Sequence, residues 1–196
     1  MAKRSKIDAE KTRERLLADA AYLFETKGYA GASVEDICAR SGNSKGALFY
    51  HFTNKKALFI EVWTILQRRL DTAVRKVAVV AMSKDDPYSA FMAGAREYLN
   101  WIARKDYQNI VLIDGPSVMG TAEWHARDYE LGNRNLLSGL NYLSKQGLIA
   151  GHRVRPFASM LQNALAGSGF ALSRGAEGIT TEGVYEAFEV LVKSLR

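Results

Sequence analysis

Residues 33–56 read SVEDICARSGNSKGALFYHFTNKK, two short helical patterns that meet at a glycine. Ser33 is placed to cap a helix with its hydroxyl, and Asp36 three positions on completes a capping box. Val34, Ile37 and Cys38 make one apolar face, and Ser41-Gly42 ends the helix in a pair that tolerates a left-handed turn. Asn43 or Ser44 can cap a second helix over residues 45–52, on which Leu48 and Phe52 face inward one turn apart. At about 100° per residue, Gly46, Ala47 and Tyr50 fall on the opposite side, with Phe49 and His51 on the flanks. A surface of Gly and Ala lets a backbone approach the floor of a DNA major groove, and Lys45 at the helix N-terminus reaches phosphate or a guanine edge. Tyr50, His51 and Lys55 can donate hydrogen bonds to phosphate oxygens. Each residue alone would suit a solvated helical hairpin; the spacing taken together is that of a helix-turn-helix DNA reader.

Residues 12–59 resemble the DNA-binding domain of the TetR family of bacterial transcription regulators. The likeness is carried by Leu16-Leu17, Leu23-Phe24, Gly28-Tyr29, Ser33-Val34-Glu35-Asp36-Ile37 and Ser44-Lys45-Gly46-Ala47-Leu48. It continues through Tyr50-His51-Phe52 and Asn54-Lys55. The resemblance implies that Ser33 holds phosphate at the start of the second helix. Ser44, Lys45, Gly46 and Ala47 would lead the recognition helix, and Tyr50, His51 and Lys55 would clamp phosphates. Two positions depart from the family pattern. Phe49 stands where many relatives carry tyrosine, which removes a hydroxyl, and Asn43 is polar where an apolar turn residue is common.

Composition agrees with a nucleic-acid partner. The chain of 196 residues is 47% hydrophobic, ample for a core, and its formal net charge is +6. The first 56 residues hold 11 lysines and arginines against 7 acidic residues and so carry most of the excess. Lys3, Arg4 and Lys6 form a short basic arm, expected to be disordered in the free protein and able to lie along DNA. The single cysteine allows no internal disulfide and suits a reducing cytoplasm. The basic start runs into a charged helix rather than an apolar one, so no signal peptide is expected. The longest plain apolar run, residues 77–82, is far too short for a bilayer.

The remaining pattern is helical throughout, and the expected architecture is all-α. A first helix over residues 10–27 stripes Leu16, Ala20, Leu23 and Phe24 and stops at Gly28. A long helix over residues 55–82 follows the reader, capped by Thr53 or Asn54 and striped by Phe59, Val62, Trp63, Leu66 and Leu70. Residues 83–87 (SKDDP) make a break, and a helix spans 87–104. An apolar segment over 107–113 ends at Asp114-Gly115-Pro116, a turn signal. Helices over 121–146, 157–174 and 181–195 complete the chain, with a connection over 147–156 and a Gly-rich gap before the last. The reading divides it into a three-helix reader over 1–56 and a larger helical domain for ligand binding and dimerisation over 57–196.

In the larger domain, aromatics and flexible apolar residues point to a pocket with a few polar handles. Trp101 and Trp124 are the first candidates for its lining, with Trp63, Tyr98 and Met119; His125, Asn133 and Gln162 are candidate handles. Ordinary core packing would use the same residues. The penultimate helix carries Ala164, Gly167, Gly169 and Ala171, and the last a stripe of Val184, Phe188, Leu191 and Val192. Paired across two subunits they would make a four-helix homodimer interface, setting two half-sites about 34–36 Å apart on a palindromic double-stranded operator. The resemblance further implies a repressor released by a small hydrophobic or aromatic effector. The alternative is a ligand-independent DNA-binding or architectural protein with a solid core. An enzyme is not expected. His51, His125, His152 and Cys38 fall in no HExxH, CxxC, GxSxG or phosphate-loop pattern, and neither a cofactor nor a metal is called for.

Overall fold

A computed structural model describes residues 2–82 and 86–195, with side chains from residue 7 onward. Among the described residues every regular element is a helix. Helix α1 (Ala2–Gly31) starts well before Glu10, because no glycine or proline interrupts the chain between Ala2 and Lys27. The backbone at Lys3, Arg4 and Lys6 is therefore helical rather than a loose arm, while their side chains lie outside the described residues. The expected stop at Gly28 is a kink: its φ of 70° and ψ of 168° interrupt the winding, a conformation open to glycine because it has no Cβ.

Helices α2 (Val34–Ser41) and α3 (Lys45–His51) follow, and Gly42 ends α2 with φ 67°. Helix α4 (Lys55–Val80) begins where Asn54 Oδ1 accepts the Ala57 N–H at 2.8 Å. Leu16, Ala20, Leu23 and Phe24 of α1 bury with Ile37, Leu48, Phe52 and Phe59 in one small core. Phe59 stands edge-on to both Phe24 and Tyr29, at 5.2 and 5.1 Å, the favoured geometry for aromatic quadrupoles. Cys38 is buried on the inner face of α2, and that burial pushes its thiol up. No break separates residue 56 from 57. The N-terminal turns of α4 (Leu58, Phe59) close the reader, and its stripe runs on through Val62, Trp63, Leu66, Leu70 and Val74 into the larger core.

The expected break after α4 falls partly on residues 83–85, outside the described residues. Helix α5 (Tyr88–Ile102) packs back along α4. The turn expected at Asp114-Gly115-Pro116 is absent. Instead α6 (Lys105–Tyr107), a π-wound stretch (Gln108–Asp114) and α7 (Gly115–Met119) run on as consecutive helical turns. Pro116 sits in the first turn of α7 and has no N–H to give; the Val111 carbonyl five residues back takes the Trp124 Nε1–H instead. Gly115 is there for space: a Cβ would stand 2.8 Å from the Trp124 ring and 3.2 Å from Trp63 Nε1.

Helix α8 (Thr121–Lys145) and α9 (Val154–Ser173) complete the larger bundle, with a 3-10 turn (Gly151–Arg153) between them. Helix α9 starts three residues before Phe157 and takes Pro156 into its first turn. In α10 (Thr181–Lys193) the expected stripe divides. Phe188 and Val192 pack into the chain's own core, while Leu191 stays exposed, as does Val190 beside it, outside the expected stripe. The small residues of α9 divide too. A Cβ on Gly169 would press Leu112 and Ile102 at 3.2 and 3.3 Å, whereas Gly167 faces open space.

Replacing Gly115 with alanine should destabilise the protein by about 1–3 kcal/mol through overpacking against the two indoles. Urea unfolding followed by circular dichroism reads this as a lower midpoint at unchanged slope.

Candidate functional site

Both reader helices are locked at their starts by side chains. Ser33 Oγ accepts the Asp36 N–H at 2.9 Å, and Asp36 Oδ2 accepts the Ser33 N–H at 3.4 Å. Ser44 Oγ accepts the Ala47 N–H at 3.1 Å. Asn43 Nδ2 donates to the Ser41 carbonyl at 3.0 Å, so this polar turn residue secures the end of α2. With Leu48 buried beneath, Gly46 and Tyr50 lie on the outer surface, Ala47 is half-buried, and Tyr50 is 79% exposed. Nothing heavier than the Ser44 hydroxyl, 3.7 Å from a Cβ placed on Gly46, stands over that residue. His51 meets the Tyr50 ring edge-on at 5.0 Å. Phe49, the position without a hydroxyl, is exposed beside them.

Two of the expected cations are already engaged. The Lys45 ammonium hydrogen-bonds the Glu35 carboxylate across the exposed junction of α2 and α3. The pair raises the Lys45 ammonium and lowers the Glu35 carboxyl. Lys55 turns inward, donating to the Tyr29 and Ala32 carbonyls at 2.9 and 3.0 Å with its ammonium 4.2 Å from the Tyr29 ring centroid. One of its three ammonium hydrogens is left for an outside partner.

The same corner joins the reader to the larger domain. Asp114 Oδ2 accepts the Tyr29 N–H at 2.6 Å, and Asn109 Nδ2 donates to the Glu25 carbonyl at 2.8 Å. Both come from the π-wound stretch.

A cavity of about 600 Å³ lies between α4, α5, α8 and α9. Its lining follows α4 from Gln67 to Val79, about 18 Å of helix, and goes on to Met82 just beyond it. Of the five residues expected to line a ligand pocket, the cavity takes Tyr98. Trp63, Met119 and Trp124 are buried in packed core instead, where Trp124 Nε1 donates to the Val111 carbonyl at 2.8 Å. Trp101 lies on another surface, its Nε1 donating to Glu97 at 3.0 Å with Arg104 over the ring. His125 is exposed, its ring against Trp124. The Trp63 and Trp124 indoles fill core space, while Trp101 borders a shallow depression beside Ile65 and Ala73 of α4. Among the candidate handles, Gln162 lines the cavity, while Asn133 is buried with neither side-chain polar atom partnered.

Gln67 and Gln162 give this cavity a polar floor, and behind it lie Tyr107 and Asp128, residues that sequence reasoning missed along with Gln67. Tyr107 donates to Gln67 Oε1 at 3.0 Å, Gln67 Nε2 donates to Asp128 Oδ1 at 2.8 Å, and Gln162 Nε2 donates to Asp128 Oδ2 at 3.2 Å. Burial pushes the Asp128 carboxyl up, and burial beside Asp128 pushes the Tyr98 and Tyr107 phenols up. The available signal was a polar residue inside an apolar stripe: Gln67 between Trp63 and Leu70, and Asp128 between Trp124 and Leu131. Among the described residues no group of three or more His, Cys, Asp or Glu could hold a metal ion.

Comparison with known proteins matches both parts of the chain. The family model described as bacterial regulatory proteins, tetR family, matches residues 16–62, and a tetracyclin repressor-like C-terminal domain matches residues 88–195. The chain is 33% identical over 70 residues to the HTH-type transcriptional regulator AcrR of Shigella flexneri, covering 36% of this chain and 33% of the relative. It is 40% identical over 62 residues to the HTH-type transcriptional repressor AcnR of Corynebacterium jeikeium, covering 32% and 33%. Each alignment thus spans about a third of the curated relative's length. A crystal structure of a TetR-family transcriptional regulator from Pectobacterium atrosepticum is 27% identical, with a TM-score of 0.78 and 96% of each chain covered.

Replacing Lys55 with methionine should lower unfolding stability by about 1–3 kcal/mol, because two carbonyls lose a charged donor; thermal unfolding checks this. Replacing Asp128 with asparagine should have a pH-dependent effect. A carboxyl whose folded pKa is raised contributes stability below its unfolded pKa and loses it as pH rises through the folded value. The amide variant should therefore gain on the wild type as pH rises above the ordinary carboxyl value of about 4, measured by urea midpoints at a series of pH values.

Proposed function

The chain belongs to the tetR family of bacterial regulatory proteins, and we propose that it is a cytoplasmic, dimeric, sequence-specific DNA-binding repressor whose operator binding is weakened by a small molecule. The observation that carries this reading is the open face of α3. A surface of Gly46, Ala47 and Tyr50, with both reader helices capped, suits close entry into a major groove. Ser44, Lys45, Gly46 and Ala47 lead that entry. Ser33, Tyr50 and His51 hold phosphates, and Lys55 offers its remaining hydrogen to the same backbone while bracing α1. Lys45 exchanges Glu35 for DNA on binding. Among the described residues no helix is long and apolar enough to cross a membrane.

The effector enters the cavity between α4, α5, α8 and α9. A half-open cavity of this size favours a ligand-gated regulator over an architectural protein with a solid core. Helix α4 connects the two sites, since it leaves the reader at Lys55 and walls the cavity from Gln67 onward. A ligand that fits a shifted α4 better lowers DNA affinity, and DNA lowers ligand affinity by the same factor; a coupling of about 1–3 kcal/mol suffices. A homodimer formed through α9 and α10 uses the faces left open by Met160, Gly167, Val190 and Leu191. Its two readers meet half-sites about one helical turn apart or a multiple of it.

The test is titration of labelled DNA from the promoter beside the protein's own gene against scrambled DNA at two salt concentrations. Tight, saturable preference for the promoter is expected. Lys45→Ala should weaken it by about 1–3 kcal/mol and flatten the salt slope by about one. Equal affinity for both DNAs would overturn sequence-specific regulation.

A further inference from the structure

The chemistry of the cavity floor narrows what can occupy it, given the reading above that the cavity is the effector site. Each oxygen of the buried Asp128 carboxylate is met by an amide, Gln67 on one side and Gln162 on the other. Tyr107 donates to Gln67 Oε1, so the Gln67 amide cannot turn over without losing both of its bonds. Among the described residues no lysine or arginine pairs with Asp128. The titratable groups facing it are His125, exposed on the same helix, and the Tyr98 and Tyr107 phenols.

Gln162 is 5% exposed and lines the cavity. Its Nε2 is committed to Asp128, and its Oε1 meets no donor. A Cβ at Gly132 would stand 2.8 Å from that Nε2, so glycine keeps room for the amide. The floor thus holds an acceptor without a donor, and directly behind it lies a carboxylate without a counter-ion, both costly when buried. Leu70, Val74, Phe91, Leu136 and Leu165 make apolar walls beyond it. Cationic residues stand further along, where Arg75 is paired with Asp71 at 3.5 Å and Lys145 is exposed.

We propose that the cavity takes an amphiphilic primary amine, its ammonium donating to Gln162 Oε1 in front of the buried Asp128 carboxylate and its apolar body lying along α4. An ammonium brings both a positive charge and three donors, which answers the two deficits at once. A carboxylate head would add an anion and further acceptors beside Asp128, and an alcohol would supply a donor without the charge. Arg75 and Lys145 repel an ammonium, which orients the amine toward the floor.

The test is thermal unfolding of the full chain with nonylamine, nonanoate or nonanol, each below its aggregation concentration. Nonylamine is expected to raise the unfolding temperature saturably, with an affinity at least about tenfold above the other two. Asp128→Asn should bring amine and alcohol to within about twofold. Gln162→Leu, which leaves the carboxylate in place, should weaken the amine about tenfold. Nonanoate binding as tightly as nonylamine, no shift with any probe, or an amine preference that survives both substitutions would overturn the assignment. Promoter release is read separately. Amine binding without release would sink the regulatory reading and leave the ligand class standing, whereas release by nonanoate alone would do the reverse.

Discussion

The joint at Gly28 is the constraint on which the two halves of the molecule depend. A kinked helix end frees backbone groups that must find partners, and here the partners come from two other elements. Lys55, the first residue of α4, gathers the Tyr29 and Ala32 carbonyls. Asp114, the last residue of the π-wound stretch, takes the Tyr29 N–H, and Asn109 reaches the Glu25 carbonyl. In an α-helix, residues five apart point about 140° away from each other. The wider i→i+5 winding brings Asn109 and Asp114 back toward one side, so both can grip α1. The winding of the larger domain is thereby tied to the position of the reader's first helix.

Cavity and core divide the side chains by stiffness. Trp63 and Trp124 close around Gly115 and leave no room between them. The cavity opens instead between α4, α5, α8 and α9, where Gly94, Gly132 and Gly139 let Val74, Gln162 and Phe91 lie close against the helix backbones. Interiors are close-packed, so a space of this size needs walls too constrained to collapse. The amides fixed on Asp128 provide such a constraint, because moving one strands a buried carboxylate oxygen.

Local chemistry was legible wherever neighbours in sequence are also neighbours in space. The caps at Ser33 and Ser44, the left-handed Gly42 and the inward Leu48 and Phe52 all follow from spacing alone. Long-range partners were not. Gly115-Pro116 reads as a turn until Trp124 is seen against the glycine, and nothing in the spacing of Lys55 announces its bonds to the carbonyls of α1. The tryptophans invited a ligand because they are large, and size is the property that made them core. Gln67 and Asp128 carried the better signal, since a polar group in an apolar stripe must be satisfied by a partner or a binding role.

Cys38 gives the reader an internal clock. It is the chain's single thiol, it is buried beneath α2, and burial keeps it protonated in the closed state. A thiol reagent therefore registers the moments when α2 lifts from its neighbours, and its rate of attack measures how often they occur. Held closed by a partner, the same helix would slow the clock, so residence on that partner could be timed without attaching any label in advance.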